Sequence, residues 1–160
     1  MIGRLYQGRR RDCSNRLAPK HPFPTAPEDC CAAYCHVLAN AASLGVDAQR
    51  IAVAGDSAGG ELATVVCLMA KDRGYAMPCA QMLIYPVTGR GLDTASMRRY
   101  TDTPMCNSRD IEQYDRLYMQ NPAAGERAYG SPIHAASLAG QPMAYIETAE
   151  FDCLRDGGVL

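Results

Sequence analysis

Alternation of short apolar runs with helical periodicities predicts an α/β fold built on a mostly parallel sheet. Three runs read as strands, Ile51 to Ala54, Ala80 to Tyr85 and Met143 to Thr148. The segments between them repeat apolar residues at steps of three and four, the mark of helices. Strands joined through helices form right-handed βαβ units, whose chemistry collects at the C-terminal ends of the strands. Ser57 and Asp152 both fall at such ends.

The elements follow in order. Residues 1–15 are a basic N-terminal segment without apolar period: Arg4, Arg9, Arg10, Arg11 and, just past it, Arg16 face only Asp12. Such a terminus reads as poorly ordered, with a nucleic-acid arm as the alternative. Leu17 to Pro24 carries three prolines and should be extended. Thr25 and Glu28 have the spacing of a capping box for a helix presenting Cys30, Tyr34, Val37, Ala41 and Leu44 on one face and ending near Gly45. The strand Ile51 to Ala54 leads into Gly55-Asp56-Ser57-Ala58-Gly59-Gly60 and a helix stopping near Gly74. After the second strand, Val87 to Asn107 reads as loop with one short helical turn. Ser108 is placed to cap a helix with Ile111, Tyr114, Leu117 and Tyr118 on a face. A turn-rich stretch, Asn121 to Pro132, precedes the third strand, which runs into Glu150, Phe151 and Asp152.

Composition narrows the function. With 48% hydrophobic and 21% charged residues the chain reads as globular, and its net charge of −1 offers no overall attraction for nucleic acid or anionic membranes. The apolar run from Val65 to Ala70 is far short of the roughly 18 residues of a membrane span. No leader peptide is visible, so the location expected is cytoplasmic. The eight cysteines lack any Cys-x-x-Cys pair. Cys31 and Cys35 stand at i, i+4 beside His36, but four metal ligands are not assembled from them. Free thiols and no metal are the better reading.

Strand, Gly-x-Ser-x-Gly and helix in succession form the setting of a nucleophile elbow. The turn is tight enough to require small neighbours, here Gly55, Ala58 and Gly59. It presents Ser57 beside the N–H groups of the next helix. A serine hydroxyl needs a base, and the base an acid to orient it. Asp152 fits the acid; helix capping before Leu154 is its other reading.

These residues belong to a longer pattern. Arg16-Leu17-Ala18-Pro19-Lys20-His21-Pro22-Phe23-Pro24, the Arg50 to Gly60 block, Leu83-Ile84-Tyr85-Pro86, Ser131-Pro132-Ile133-His134 and Thr148 to Asp156 occur in this order. Together they resemble the hormone-sensitive-lipase-like α/β-hydrolases, a family of bacterial esterases and acetyl-hydrolases. The resemblance covers roughly residues 16 to 156 and implies a partial α/β-hydrolase domain over residues 16–160. It implies a hydrolase of carboxylic esters with short acyl groups, acting on a small molecule without cofactor. Ser57 would be the nucleophile, Asp152 the acid, and the Ala58 N–H an oxyanion donor.

The same resemblance exposes departures. The family's His-Gly-Gly-Gly stretch should precede residue 16, and its catalytic histidine should follow Asp152 by another helix and strand; neither is found in the sequence. His21 and His134 match histidines of non-catalytic blocks, and His36 lies on a helix. The chain therefore reads as truncated at both ends, with activity impaired. The alternative function is that of a non-catalytic remnant or a subunit of a larger assembly. A sheet short of its neighbours should expose an apolar edge and self-associate.

Overall fold

Helical periodicity and short apolar strands resolve, among the described residues, into one parallel sheet with a helix packed on one face. The computed structural model describes residues 10–120 and 127–160. Most of the basic N-terminal run, Arg4 and Arg9 included, and part of the stretch after Asn121 lie outside the described residues. The elements are α1 (Thr25–Ala39), α2 (Ala41–Leu44), β1 (Val53–Asp56), α3 (Ala58–Asp72), β2 (Ala80–Ile84), α4 (Ala95–Arg99), α5 (Ser108–Tyr118), α6 (Arg127–Gly130) and β3 (Met143–Glu147). The sheet order is β1-β2-β3, parallel throughout, with Gly55 beside Leu83 and Leu83 beside Ile146.

The N-terminal lead-in turns instead of extending. The His21 N–H donates to the Leu17 carbonyl and the Thr25 N–H to the Pro22 carbonyl, both at 3.0 Å. These turns bury Phe23, whose ring meets Tyr118 edge-on at 5.7 Å. Thr25 is consequently already helical, and Pro24 occupies the cap position without a side-chain bond. The expected capping box does not form, because Glu28 pairs with Arg73 at the end of α3. Helix α1 breaks at Asn40, and the helical stretch ends at Gly45, which takes the left-handed conformation (φ 64°) suited to a residue without a Cβ.

Strand β1 begins two residues later than its apolar run suggests. Asp47 caps a short 3₁₀ turn, Ala48–Arg50, through the Gln49 N–H at 2.9 Å, and that turn delays the entry into the sheet. Helix α5 is capped by Asn107, not Ser108. Only part of its expected apolar face is covered: Ile111 is buried, while Tyr114 and Leu117 are exposed.

Helix α3 is the centre of the molecule. Val65, Cys67, Met69 and Ala70 are fully buried. Val65 and Met69 meet Cys31 of α1, and Val66 and Ala70 meet Tyr34. Burial of each large apolar side chain contributes about 1.5–3 kcal/mol. Facing the sheet, the Thr64 hydroxyl donates to Gln81 at 3.2 Å. Gln81, Leu83 and Gly55 therefore look towards α3, and the alternate residues Ala54, Met82 and Tyr145 share the opposite face. Among the described residues no helix covers that face, and every residue of β3 is exposed. A separate cluster of Val87, Tyr100, Ile111, Cys153 and Leu154 ties the segments that follow β2 and β3 together.

Candidate active site

One residue reverses the chain between β1 and α3. Ser57 does so at φ 52°, ψ −120°, a conformation that costs a residue with a Cβ about 1–3 kcal/mol. Its surroundings leave it no alternative. The Ser57 N–H donates to the Ile84 carbonyl at 2.9 Å, and its carbonyl accepts from the Gly60 N–H at 3.0 Å and the Val87 N–H at 3.2 Å. Both sheet and helix thus fix the peptide units around the strained residue.

Glycine is required in this turn at positions set by packing. A Cβ on Gly55 would stand 2.1 Å from the Gly59 carbonyl oxygen, and one on Gly60 would stand 2.8 Å from Pro86 Cβ. Gly59 has room, its nearest contact being Asp56 Oδ1 at 3.9 Å. The expectation of small residues thus holds at Gly55, is not forced at Gly59, and extends to Gly60. Ala58 opens α3, so its N–H is among the first-turn donors that have no carbonyl partner within the helix. That donor belongs to the residue directly after Ser57 in the chain.

Asp152 lies past the end of β3, whose last residue, Glu147, pairs with Ile84, which also pairs with Asp56 just before the elbow. Asp152 Oδ1 accepts from the Leu154 N–H at 2.9 Å, so the capping role is present. That bond uses one carboxylate oxygen. The turn is anchored by α4: the buried Ser96 hydroxyl donates to the Cys153 carbonyl at 2.7 Å and accepts from the Asp156 N–H at 3.2 Å. Asp156 returns the contact, taking the Ser96 N–H at 2.8 Å. Ser96 and Asp156 were not singled out in the sequence, because the contact joins segments about 60 residues apart.

A buried ion network follows the elbow. Glu61, in the first turn of α3 and 2% exposed, accepts from Arg90 Nη2 at 2.6 and 2.7 Å. Arg90 also pairs with Asp115 of α5 and lies over the Tyr118 ring at 4.5 Å. Burial pushes the Glu61 carboxyl up to about 7, against the pull of Arg90. Burial likewise raises Asp115. Burial opposes the charge on Arg90, but the two carboxylates outweigh it and hold its pKa above the ordinary value. The sequence carried a signal for this site. Glu61 is the sole charge between Ser57 and Lys71, and a lone charge in an apolar helix needs a partner.

No histidine joins Ser57 and Asp152 in a hydrogen bond among the described residues. The His36 ring contacts Asn40 at 3.3 Å, the exposed His134 contacts Arg127 at 3.2 Å, and His21 lies near Asp29. His36 is also exposed while Cys31 is buried, so the Cys31, Cys35 and His36 trio does not converge. Between α4 and α5 runs an open groove of ≈ 840 Å³ bordered by Arg90, Leu92, Met97, Ile111 and Met119. Neither Ser57 nor Asp152 borders it.

Comparison with known proteins places this geometry in a wider group. The family model of the alpha/beta hydrolase fold matches residues 14–160. Esterase LipI of Mycobacterium tuberculosis is 40% identical over 149 residues, covering 90% of this chain and 45% of the relative. Ethyl acetate hydrolase of Pseudomonas putida is 37% identical over 145 residues, covering 90% and 46%. Among solved structures, the hyperthermophilic esterase of the archaeon Pyrobaculum calidifontis superposes with a TM-score of 0.85 at 42% identity, covering 91% of this chain and 48% of that one. The chain spans about half the length of the curated relatives it matches.

Proposed function

Because the chain belongs to the alpha/beta hydrolase fold family, we propose that it carries the nucleophile and acid of a serine hydrolase acting on carboxylic esters. The strained Ser57 between β1 and α3 carries the reading, since that conformation is costly and serves to present a hydroxyl. Ser57 Oγ attacks the ester carbonyl while a histidine takes its proton. The Ala58 N–H receives the oxyanion, the alcohol departs with the proton, and water releases the acid from the acyl-serine. Asp152 orients the histidine through the carboxylate oxygen left free by the Leu154 bond.

The base in this reading comes from polypeptide outside these 160 residues, as do the remaining oxyanion donors. Small acyl esters are the substrates, used without metal or organic cofactor. The eight free cysteines suit a cytoplasmic, reducing location. The bare face of Ala54, Met82 and Tyr145 and the exposed β3 favour association with other polypeptide, a second copy included.

The histidine contacts favour a second reading, in which the isolated chain is not catalytic. Loss of a triad member lowers turnover by about 10⁴–10⁶. Hydrolysis of p-nitrophenyl butyrate by the chain and by Ser57→Ala separates the two. A rate lost on substitution supports the catalytic reading. Equal rates above buffer overturn Ser57 as the nucleophile, and two rates at buffer level favour the second reading.

A further inference from the structure

Two thiols beside the acid turn have no part in ester hydrolysis. Cys153 follows Asp152 directly and is fully buried. Cys106 stands between α4 and α5, is half-buried, and packs on the cluster that contains Cys153. Cys106 thus packs against the same small cluster as Cys153, and each thiol's acidity is influenced by the other. Their backbones are tied down: the Cys106 carbonyl accepts from the Thr103 hydroxyl at 2.5 Å, and the Cys153 carbonyl from the Ser96 hydroxyl at 2.7 Å. No other cysteine lies on this side of the molecule's core cluster, so the pair has no competing thiol within it.

We propose that Cys106 and Cys153 form a reversible disulfide that fastens the segment before α5 to the turn carrying Asp152. Exposure assigns the order of events. Cys106 reaches solvent and meets the oxidant, a small-molecule disulfide of the oxidised-glutathione class; buried Cys153 resolves the intermediate. The Cys106 thiolate attacks one sulfur of the oxidant and the oxidant's S–S bond breaks. The first small thiol leaves and takes up the proton that Cys106 lost. The Cys153 thiolate then attacks Cys106 Sγ, displacing the second small thiol, which takes up the proton from Cys153. Two protein thiols lose two electrons and the oxidant becomes two thiols.

Local electrostatics sets the pace. Burial pushes the Cys153 thiol up to about 12, with Cys106 and Asp152 adding to it. Burial also raises Cys106, with Asp152 and Asp110 adding while the Cys153 contact opposes. Both thiols are protonated at neutral pH, so the disulfide forms slowly there. Its rate rises about tenfold per pH unit as the thiolate fraction grows.

Peptide mapping of the folded chain tests this. The chain is incubated with oxidised glutathione near pH 8.5, its remaining thiols are alkylated, and a tryptic digest is weighed without reduction. The expected product joins the peptide Tyr100–Arg109 to Ala128–Arg155. Its mass lies about 2 Da below the two reduced peptides together, and dithiothreitol separates them. Cys106→Ser should abolish the link and leave Cys153 as a free thiol. The native circular-dichroism spectrum serves as the check on that variant. Glutathione retained on Cys106 with Cys153 alkylated, or both alkylated after exposed Cys13 has been fully oxidised, overturns the proposal. The mapping of the unsubstituted chain decides the matter even if the variant does not fold.

Discussion

Replacing Gly55 by alanine should damage the elbow far more than the same change at Gly59, two residues past Ser57. The new Cβ at 55 would lie 2.1 Å from the Gly59 carbonyl oxygen, 2.2 Å from its carbon and 2.8 Å from the Gly60 nitrogen. These are backbone atoms, so no rotamer change relieves them, and α3 must retreat from β1 by about 1 Å. Overpacking in a core costs typically 1–3 kcal/mol, and a rigid backbone neighbour puts Gly55→Ala at about 3 kcal/mol or beyond. At Gly59 the nearest atom is 3.9 Å away, and alanine in a helix is favoured over glycine by up to about 1 kcal/mol. Urea unfolding followed by circular dichroism reads the contrast. With a slope of about 1–3 kcal/mol per molar urea, the Gly55→Ala midpoint should fall by about 1 M or more while Gly59→Ala holds or rises. Coincident midpoints for the two variants would refute the reasoning that Gly55 exists to let α3 approach.

The ion network gives a pH signature. Glu61, raised to about 7 by burial, binds its proton more tightly folded than unfolded. Its contribution is full below the unfolded carboxyl range and is lost as pH rises through about 7. Wild type should therefore lose stability relative to Glu61→Gln between pH 5 and 8 in urea titrations; a constant difference across that range would count against it. Ser96→Ala leaves the Cys153 carbonyl and Asp156 N–H without their buried partner. The cost should be about 1–3 kcal/mol by the same assay. On the bare side of the sheet, Tyr145→Lys should reduce self-association in size-exclusion chromatography without lowering the urea midpoint, since Tyr145 is 57% exposed. Unchanged elution of an associated species would show that another surface is responsible.

Local chemistry was legible in the sequence, and chemistry between distant segments was much less so. The elbow announced itself, because strand, small residues, serine and helix are contiguous. Periodicity found all three strands, yet it misplaced the start of β1, since Asp47 and its 3₁₀ turn hold the chain back for two residues. The capping box failed for a similar reason. Thr25 and Glu28 have the right spacing, but Phe23 packing on Tyr118 and the pull of Arg73 on Glu28 give both ends of the motif other work. Arg90 could not be chosen from its neighbours; its role depends on Glu61 and Asp115, about 25–30 residues away on either side. Glu61 itself was the readable half of that network, a single charge in a helix otherwise apolar.

In the proposed reading, the geometry of the turn and the reactivity of its serine come from different parts of the molecule. Ser57 is held in its strained turn by contacts that all come from β1, β2, α3 and the segment immediately after β2. The strain, about 1–3 kcal/mol, is comparable with the burial of one large side chain, and α3 buries both Val65 and Met69 completely. The elbow therefore needs neither a histidine nor a covered second sheet face in order to form. The turn that carries Asp152 is held by α4, through the contacts of Ser96 with Cys153 and Asp156. Among the described residues these contacts include no hydrogen bond from a histidine, since the His36 ring meets Asn40 and His134 meets Arg127. Under the proposed reading, Ser57 is a pre-shaped nucleophile whose base is organised by a separate packing unit. Supplying the base would then raise the rate without reshaping the turn that carries Ser57.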